Sequence, residues 1–415
     1  AKFAGGDFPQ AYVNADNDED LYIWPPASAQ QHDPETGKRL VWRVPKALYG
    51  GKASGRYWYN FVKDKLVNKY GFKASDWDPC VFVRYTGKEF YYIGLYVDDT
   101  VHVYSSDAEH VTLVQSFQRD FLGYSDLGPL TEIFNAEVAD TPAHVTLTQT
   151  RYIEELVKTF DIDPSAIVRN PADKSLADTV RKAVASKPDR AVDEALVTKY
   201  GSIVGALLYV ALTSRPDVAF AVGMLSRALS CPTEALYDEA VRVLKYLNTT
   251  KTIGLRYSKG AAVNLSGFVD SDWSVIKSTT GYAFFIAKAL VAYMSKKQDS
   301  IAMSSTEAEI MAASIAALEA VSLRGLLGDL QLHQSQPTAV GIDNQGAVAL
   351  AKNYISNSKT KHIERRHLKI RELVEQAEVQ PEFVPTEENP ADIFTKALAR
   401  PRFEKLRRMI LNHGA

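Results

Sequence analysis

Apolar and polar positions along this chain recur with two periods, and the change from one to the other marks out its elements. Across 90–104, two runs of aromatic and β-branched residues flank the adjacent carboxylates Asp98 and Asp99. That pattern predicts a β-hairpin with the acids at or near its tip. Val111, Val114, Phe117 and Phe121 then recur at helical spacing and predict one face of a helix, which the turn Asp126-Leu127-Gly128-Pro129-Leu130 ends. Helices are also expected after the glycine-rich segment 49–55, running through Leu66, and from Gln149. From Asp161 to Ala195, Pro, Asp, Lys and Ala follow one another without a sustained period, which reads as an exposed connecting segment and the main boundary. Residues 197–260 read as three buried helices, with Pro216 and Pro232 where helices should start.

The last third alternates strand and helix. Strands are predicted at 265–270, 280–286 and near 291–294. Ser304-Ser305-Thr306-Glu307 reads as a capping box, Ser304 as N-cap with Glu307 returning to it, and Met311, Ile315, Leu318 and Val321 share a face of the helix it opens. A strand at 340–345 leads into a helix through Lys352, a basic helix follows, then a strand at 379–384, and Asn389-Pro390-Ala391-Asp392 opens a last helix.

Composition narrows the class. A 415-residue chain with 46% hydrophobic and 24% charged residues is long and apolar enough for two to four domains, which excludes disorder throughout. The longest apolar run, 203–212, is too short to span a bilayer and reads as a buried helix. The opening Ala1-Lys2-Phe3 has no Met and no apolar signal core, so a processed or truncated piece without a secretion signal is expected. Cys80 and Cys231 lack metal-ligand spacing and read as small buried hydrophobes in a reducing compartment. A formal net charge of −2 argues against a general polyanion binder. The basic runs 359–369 and 400–408 are either local nucleic-acid contacts or ordinary solvated helix faces.

The chemistry sits in two groups of acids. Asp98 beside Asp99 brings like-charge repulsion that nothing nearby in sequence relieves, and Mg²⁺ would relieve it through hard oxygen ligands. Asp270, Glu309, Asp343 and Asp392 fall at strand ends or helix starts, where convergent carboxylates can hold two Mg²⁺ ions for phosphodiester hydrolysis. Plainer readings exist: Asp392 suits a helix N-terminus, Asp272 competes with Asp270, and the cap accounts for Glu307. The glycines near Tyr49 let backbone approach a nucleotide closely, and the neighbouring aromatics can stack on bases.

Tyr96-Val97-Asp98-Asp99 in its hairpin resembles the catalytic hairpin of reverse transcriptases. Asp7 with Tyr12 five residues on, then Tyr49, Gly50, Lys52, Arg56 and Trp58, follow the order of copia-class LTR retrotransposon Pol polyproteins, which carry reverse transcriptase with ribonuclease H. Ser304-Ser305-Thr306-Glu307-Ala308-Glu309, Asp343-Asn344-Gln345 and Ala391-Asp392-Ile393-Phe394-Thr395-Lys396 are similar to the ribonuclease H part of the same family. The resemblance covers nearly the whole chain. It departs at Gly51, Ala53, Ser54 and Gly55, and at Asn135, which stands where the family has glycine. Glu382 is near the place of a mobile His in cellular ribonucleases H, and His362 and His367 are given no catalytic role.

The resemblance implies an α+β and α/β multidomain fold. It divides into a palm with truncated fingers at 1–138, a thumb-like segment and linker at 139–196, a helical connection at 197–260, a ribonuclease H-like mixed sheet with helices at 261–400, and a C-terminal helix or tail at 401–415. It implies RNA-directed DNA polymerase and ribonuclease H activities, each with two Mg²⁺ ions (Mn²⁺ as an alternative), held by Asp7, Asp98 and Asp99 and by Asp270, Glu309, Asp343 and Asp392. Tyr12, Tyr49, Gly50, Lys52 and Arg56 would contact nucleotide or nucleic acid. Implied partners are RNA template, DNA primer, RNA–DNA hybrid, dNTPs and other Pol and Gag products, with no membrane; the implied setting is a cytoplasmic virus-like particle, or the nucleus. Because the chain starts six residues before Asp7, weak polymerisation with retained nuclease is expected. A decayed element that folds and binds nucleic acid without catalysis is the alternative.

Overall fold

The computed structural model describes residues 1–186, 193–273, 277–352 and 369–413. The expected basic helix, with His362 and His367, lies outside the described residues. Two units emerge, Ala1–Thr131 and Glu132–Ala415.

The first unit is built on a six-stranded antiparallel sheet in the order Lys73–Ala74, Val81–Thr86, Glu89–Tyr96, Asp99–Tyr104, Lys2–Asp7, Ser125–Pro129. The segment expected as a helix-ending turn is thus an edge strand, which a register shift and Gly128 at φ 68° allow. One sheet face is covered by helices Ser54–Asp64 and Asp107–Asp120, around a core that includes Phe8, Trp58, Phe82, Tyr91, Phe117 and Phe121. On the second helix the buried positions are His110, Leu113, Val114 and Phe117, with Phe121 buried just past its end, so of the expected face only Val111, 53% exposed, does not point inward. Cys80 is partly exposed and Cys231 buried, which corrects the reading of both as buried.

The second unit contains a four-stranded antiparallel sheet, Leu255–Ser258, His144–Thr148, Ala136–Asp140, Glu132–Ile133. Strand Ala136–Asp140 belongs here because it pairs with both neighbours, so the division falls at Thr131 rather than Val138 or the 161–195 segment. Its two-residue turn is Phe134-Asn135, with φ of 51° and 53°. An Asn tolerates that conformation, so Asn135 in place of glycine keeps the hairpin. Within the supposed linker, Leu176–Ala185 is a helix burying Leu176, Val180 and Ala183 against helices Ala219–Ser226 and Glu234–Thr249, in a core that helix Glu194–Thr213 shares. The C-terminal helix Arg400–Leu411 joins the same core through Phe403, Leu406, Ile410 and Leu411.

Helix Glu194–Thr213 is twice as long as the apolar run 203–212. By length and composition it and Ser305–Asp329 are long and apolar enough to cross a membrane, which overturns the argument from length. In this structure each buries one face in a core of the unit.

The remaining sheet has the order Ala289–Lys297, Thr279–Ile286, Leu265–Asp272, Thr338–Ile342, Val379–Phe383, its first two pairings antiparallel and its last two parallel. This is the mixed sheet that the ribonuclease H resemblance implies. Helix Ser305–Asp329 lies on it through Ile310, Ala312, Ala313, Ala316, Ala317 and Ala320, while Ile315 and Leu318 are 40% and 48% exposed. Small side chains let the helix axis approach the strands closely, so alanine dominates the buried face; of the expected face, Met311 is buried and Val321 packs against the core, whereas Ile315 and Leu318 do not. Ser304 caps this helix by accepting from the Glu307 N–H at 3.1 Å, and the Glu307 carboxylate accepts from Met303 N at 2.7 Å. Asp392 sits in a short 3₁₀ turn, Pro390–Phe394, and the last helix begins only at Arg400.

Candidate functional site

In the first unit the hairpin strands pair as far as Tyr96 opposite Asp99, leaving Val97 and Asp98 as the turn. Val97 has φ 57°, a costly conformation for a β-branched residue. Two hydrogen bonds hold it there: Trp58 Nε1 donates to the Val97 carbonyl at 2.6 Å, and Phe8 N donates to the Asp98 carbonyl at 2.9 Å. Asp7 lies directly across the ladder from Asp99, so strand register brings a residue 92 positions away to the same sheet end. Its neighbour Gly6 has no room for a side chain, since a Cβ there would come within 2.4 Å of Tyr124 Oη and 2.6 Å of Thr100 Oγ1.

All three acids are partly exposed. Burial, then the charge of Asp98, raises the Asp7 carboxyl; burial, then Asp98 and Asp7, raises that of Asp99. The Tyr12 and Tyr49 rings lie 4.6 Å apart, and the Tyr49 hydroxyl is raised by burial and then by the charge of Asp98. Gly50 takes φ 90° at an exposed turn. Lys52 and Arg56 are exposed, the Arg56 guanidinium 5.3 Å from the Tyr57 ring.

The second unit holds a tighter group. Asp270, Glu309 and Asp343 come from the strand Leu265–Asp272, the helix Ser305–Asp329 and the end of strand Thr338–Ile342. Parallel pairing of the two strands and the helix lying across them bring one oxygen of each within 4.8 Å of the others. Among the described residues no other three acids, His or Cys come together at that spacing. Asp272, Glu307 and Asp392 are outside the group, as are Asp7, Asp98 and Asp99. Burial first, then neighbouring carboxylates, raises Glu309 well above the usual carboxylate range; burial also raises Asp270 and Asp343. Glu309 Oε1 accepts from Ser271 N at 3.1 Å, whereas its buried Oε2 has no hydrogen-bond partner. A buried, orphaned carboxylate oxygen facing two other acids suits a hard cation, so these three residues could hold a metal ion.

Asp392 is buried beside them but engaged by cations: Lys396 Nζ lies 2.9 Å from its Oδ1, and Arg402 pairs with its Oδ2. Lys396 Nζ is also 3.4 Å from Asp270 Oδ2, to which the Thr395 hydroxyl donates. Thr386 Oγ1 donates to Asp343 Oδ2 at 2.8 Å. Sequence reasoning missed Thr386, Thr395, Lys396 and Arg402; the one signal was Lys396 four residues after Asp392, the spacing of a helical ion pair. Glu382 is exposed and accepts from Gln380 at 2.8 Å. The concavities of about 870 and 770 Å³ in this unit contain none of the seven acids.

Residues 6–174 match the family model for reverse transcriptase (RNA-dependent DNA polymerase). The chain is 31% identical over 417 residues to the retrovirus-related Pol polyprotein from transposon TNT 1-94 of Nicotiana tabacum, an alignment covering 98% of this chain and 31% of the relative. It is 31% identical over 405 residues to the corresponding polyprotein from transposon RE1 of Arabidopsis thaliana, covering 96% of this chain and 26% of the relative. A foamy viral protease-reverse transcriptase, solved in complex with RNA/DNA hybrid, aligns over 93% of this chain and 44% of that one, with TM-score 0.48 and 14% identity. The chain therefore spans about a third or less of the Pol polyproteins it matches. The reverse transcriptase match and the two plant transposon polyproteins agree, and the chain belongs to the copia-class LTR retrotransposon Pol polyproteins.

Proposed function

We propose that the second unit hydrolyses the RNA strand of RNA–DNA hybrids at Asp270, Glu309 and Asp343, and that Asp7, Asp98 and Asp99 are the nucleotidyl-transfer site of an RNA-directed DNA polymerase. The observation that carries the nuclease reading is the three-acid group with its orphaned Glu309 oxygen. Mg²⁺ held by those carboxylates would supply an activated water and charge to offset the leaving oxygen. The chain's own residues fix the geometry: strand register sets Asp270 and Asp343, the close-packed alanine stripe sets the depth of Glu309, and Ser271 N and Thr386 orient two of the carboxylates. Asp392, buried beside them, would complete a two-ion site.

At the polymerase site Asp7, Asp98 and Asp99 would hold two Mg²⁺ ions, Tyr12 and Tyr49 would offer an aromatic floor to an incoming nucleotide, and exposed Lys52 and Arg56 would meet phosphates. The partners would be RNA template, DNA primer, hybrid and dNTPs, with other Pol and Gag products, in a cytoplasmic virus-like particle. Acids lying outside the large concavities suit a polymer laid across a surface better than an enclosed small molecule.

The test is cleavage of a labelled RNA–DNA hybrid by the purified chain, with and without Mg²⁺, beside Asp343→Asn. Mg²⁺-dependent cleavage abolished by the substitution is expected. A folded chain that binds hybrid without cutting it would overturn the nuclease assignment. Primer extension with Asp99→Asn as control tests the polymerase site in the same way.

A further inference from the structure

Four carboxylates meet in the second unit, yet only three are available to a cation. Asp392 faces two cations: Arg402 donates to its Oδ2, and the Lys396 ammonium stands 2.9 Å from its Oδ1 in an ion pair that lacks hydrogen-bond geometry. The same Arg402 nitrogen donates to the Thr386 carbonyl at 2.6 Å, and the Thr386 hydroxyl reaches Asp343. Lys396 in turn reaches Asp270. A belt of contacts thus runs from Asp343 through Thr386, Arg402, Asp392 and Lys396 to Asp270, and two carboxylate oxygens in it lack a hydrogen-bond partner: Glu309 Oε2, which no ammonium or guanidinium among the described residues pairs, and Asp392 Oδ1, which only the Lys396 charge covers.

Resting on the nuclease reading above, we propose that Lys396 is the resident counter-ion of this centre. Its ammonium lies between Asp270 and Asp392, so that the chain without nucleic acid takes one divalent cation, on Asp270, Glu309 and Asp343, and takes a second only when Lys396 swings away. Charge balance supports this. Four carboxylates carry four negative charges, which Lys396, Arg402 and a single divalent cation neutralise. A second divalent cation would leave the buried site with excess positive charge, unless Lys396 left and a substrate phosphate arrived. The side chain can make that move: it is 37% exposed, and a lysine is a point charge on a flexible stem with no fixed fork to break. Arg402, 30% exposed and tied also to a backbone carbonyl, is the fixed member. Lys396 is therefore a positioning residue, holding Asp392 in reserve.

The experiment counts Mn²⁺ bound to the full chain without nucleic acid, by calorimetry and electron paramagnetic resonance. Asp98→Asn and Asp99→Asn are present throughout so that the first unit's acids do not contribute. The parent should show one site lost in Asp343→Asn, with any second site at least tenfold weaker. Lys396→Met should tighten that second site at least tenfold, and Lys396→Arg should leave it weak. Two sites of equal affinity in the parent, or an unchanged second site in folded Lys396→Met, would overturn the inference while leaving the metal-centre reading intact. No Mn²⁺ at all, or binding indifferent to Asp343→Asn, would instead remove the metal-centre reading itself. Should Lys396→Met fail to fold, Lys396→Gln and the parent's own ratio of affinities decide the matter.

Discussion

Binding of a divalent cation to the Asp270–Glu309–Asp343 group should expel about one proton, and Glu309→Gln should abolish that release. The reason is electrostatic. With oxygens within 4.8 Å of one another, each ionised pair repels by at least about 3.5 kcal/mol at an effective dielectric of about 20. Three pairs would cost about 10 kcal/mol, comparable with the entire stability of an ordinary domain, about 5–15 kcal/mol. Lys396 beside Asp270 offsets part of this, but among the described residues Glu309 has no such partner, and a proton on Glu309 removes two of the three repulsions.

The sign of the pH dependence follows. All three carboxyls are raised from their ordinary values in the native state, Glu309 well above its own, so between the ordinary and the raised values the native chain holds more protons than the unfolded one. Metal-free stability should fall as pH climbs through that window, and added Mg²⁺ should restore it. Calorimetric titration at pH 7, in two buffers of different ionisation enthalpy and in the Asp98→Asn, Asp99→Asn background, counts the protons. Cation binding that depends on Asp343 yet releases none would show that the site is already fully ionised and would refute the reasoning.

Arg215 and Asp217 form a fully buried ion pair at 2.7 Å, with Arg215 also bound to Thr250 and Tyr246 donating to Asp217. Arg215→Met should cost about 3–5 kcal/mol by stranding Asp217, and Asp217→Leu added to it should recover most of that; a loss below about 1 kcal/mol in urea denaturation would contradict this. His102, pulled down to about 3 by burial and then by His110, stays neutral in the native first unit. The unfolded state takes up its proton first, so stability should fall by up to about 4–5 kcal/mol as pH drops from about 6.5 towards 3, and a His102→Gln chain with an unchanged pH slope of the urea midpoint would defeat the assignment. Trp58→Phe removes the hydrogen bond to Val97 and should cost about 1–2 kcal/mol, with faster amide exchange at the hairpin tip; unchanged exchange there would show that the tip needs no such tether.

What could be read from the sequence was whatever follows from period and from strand ends. Asp270 and Asp343 stand where apolar runs stop, and adjacent parallel strands that end together must bring such residues close. Asp7 and Asp99 are a similar case in antiparallel form. Larger side chains misled the reading of Ser305–Asp329, because hydrophobicity points to Ile315 and Leu318 while close packing against the sheet selects alanine. Leu176, Val180 and Ala183 carry a helical period too short and too diluted by polar neighbours to register before its packing partners are known. Arg402 was read only as one member of the basic run 400–408, with nothing to link it to Asp392. Ten residues separate it from Asp392, and only the path of the chain from the 3₁₀ turn into helix Arg400–Leu411 brings them together.

The two acid sets meet the same problem, concentrated negative charge, under different dielectric conditions. Asp7, Asp98 and Asp99 are partly exposed at a sheet end, where water screens them, and the local strain lies in the backbone at Val97, which Trp58 and Phe8 hold in place. Asp270, Glu309 and Asp392 are buried, and water cannot do the same for them. Buried charge must be paired or neutralised. The chain does both, pairing Asp392 with Lys396 and Arg402 and raising Glu309 toward its protonated form. The cations near the second set are therefore a consequence of its burial, and the first set, which is wetter, has no Lys or Arg among the groups that shift its acids.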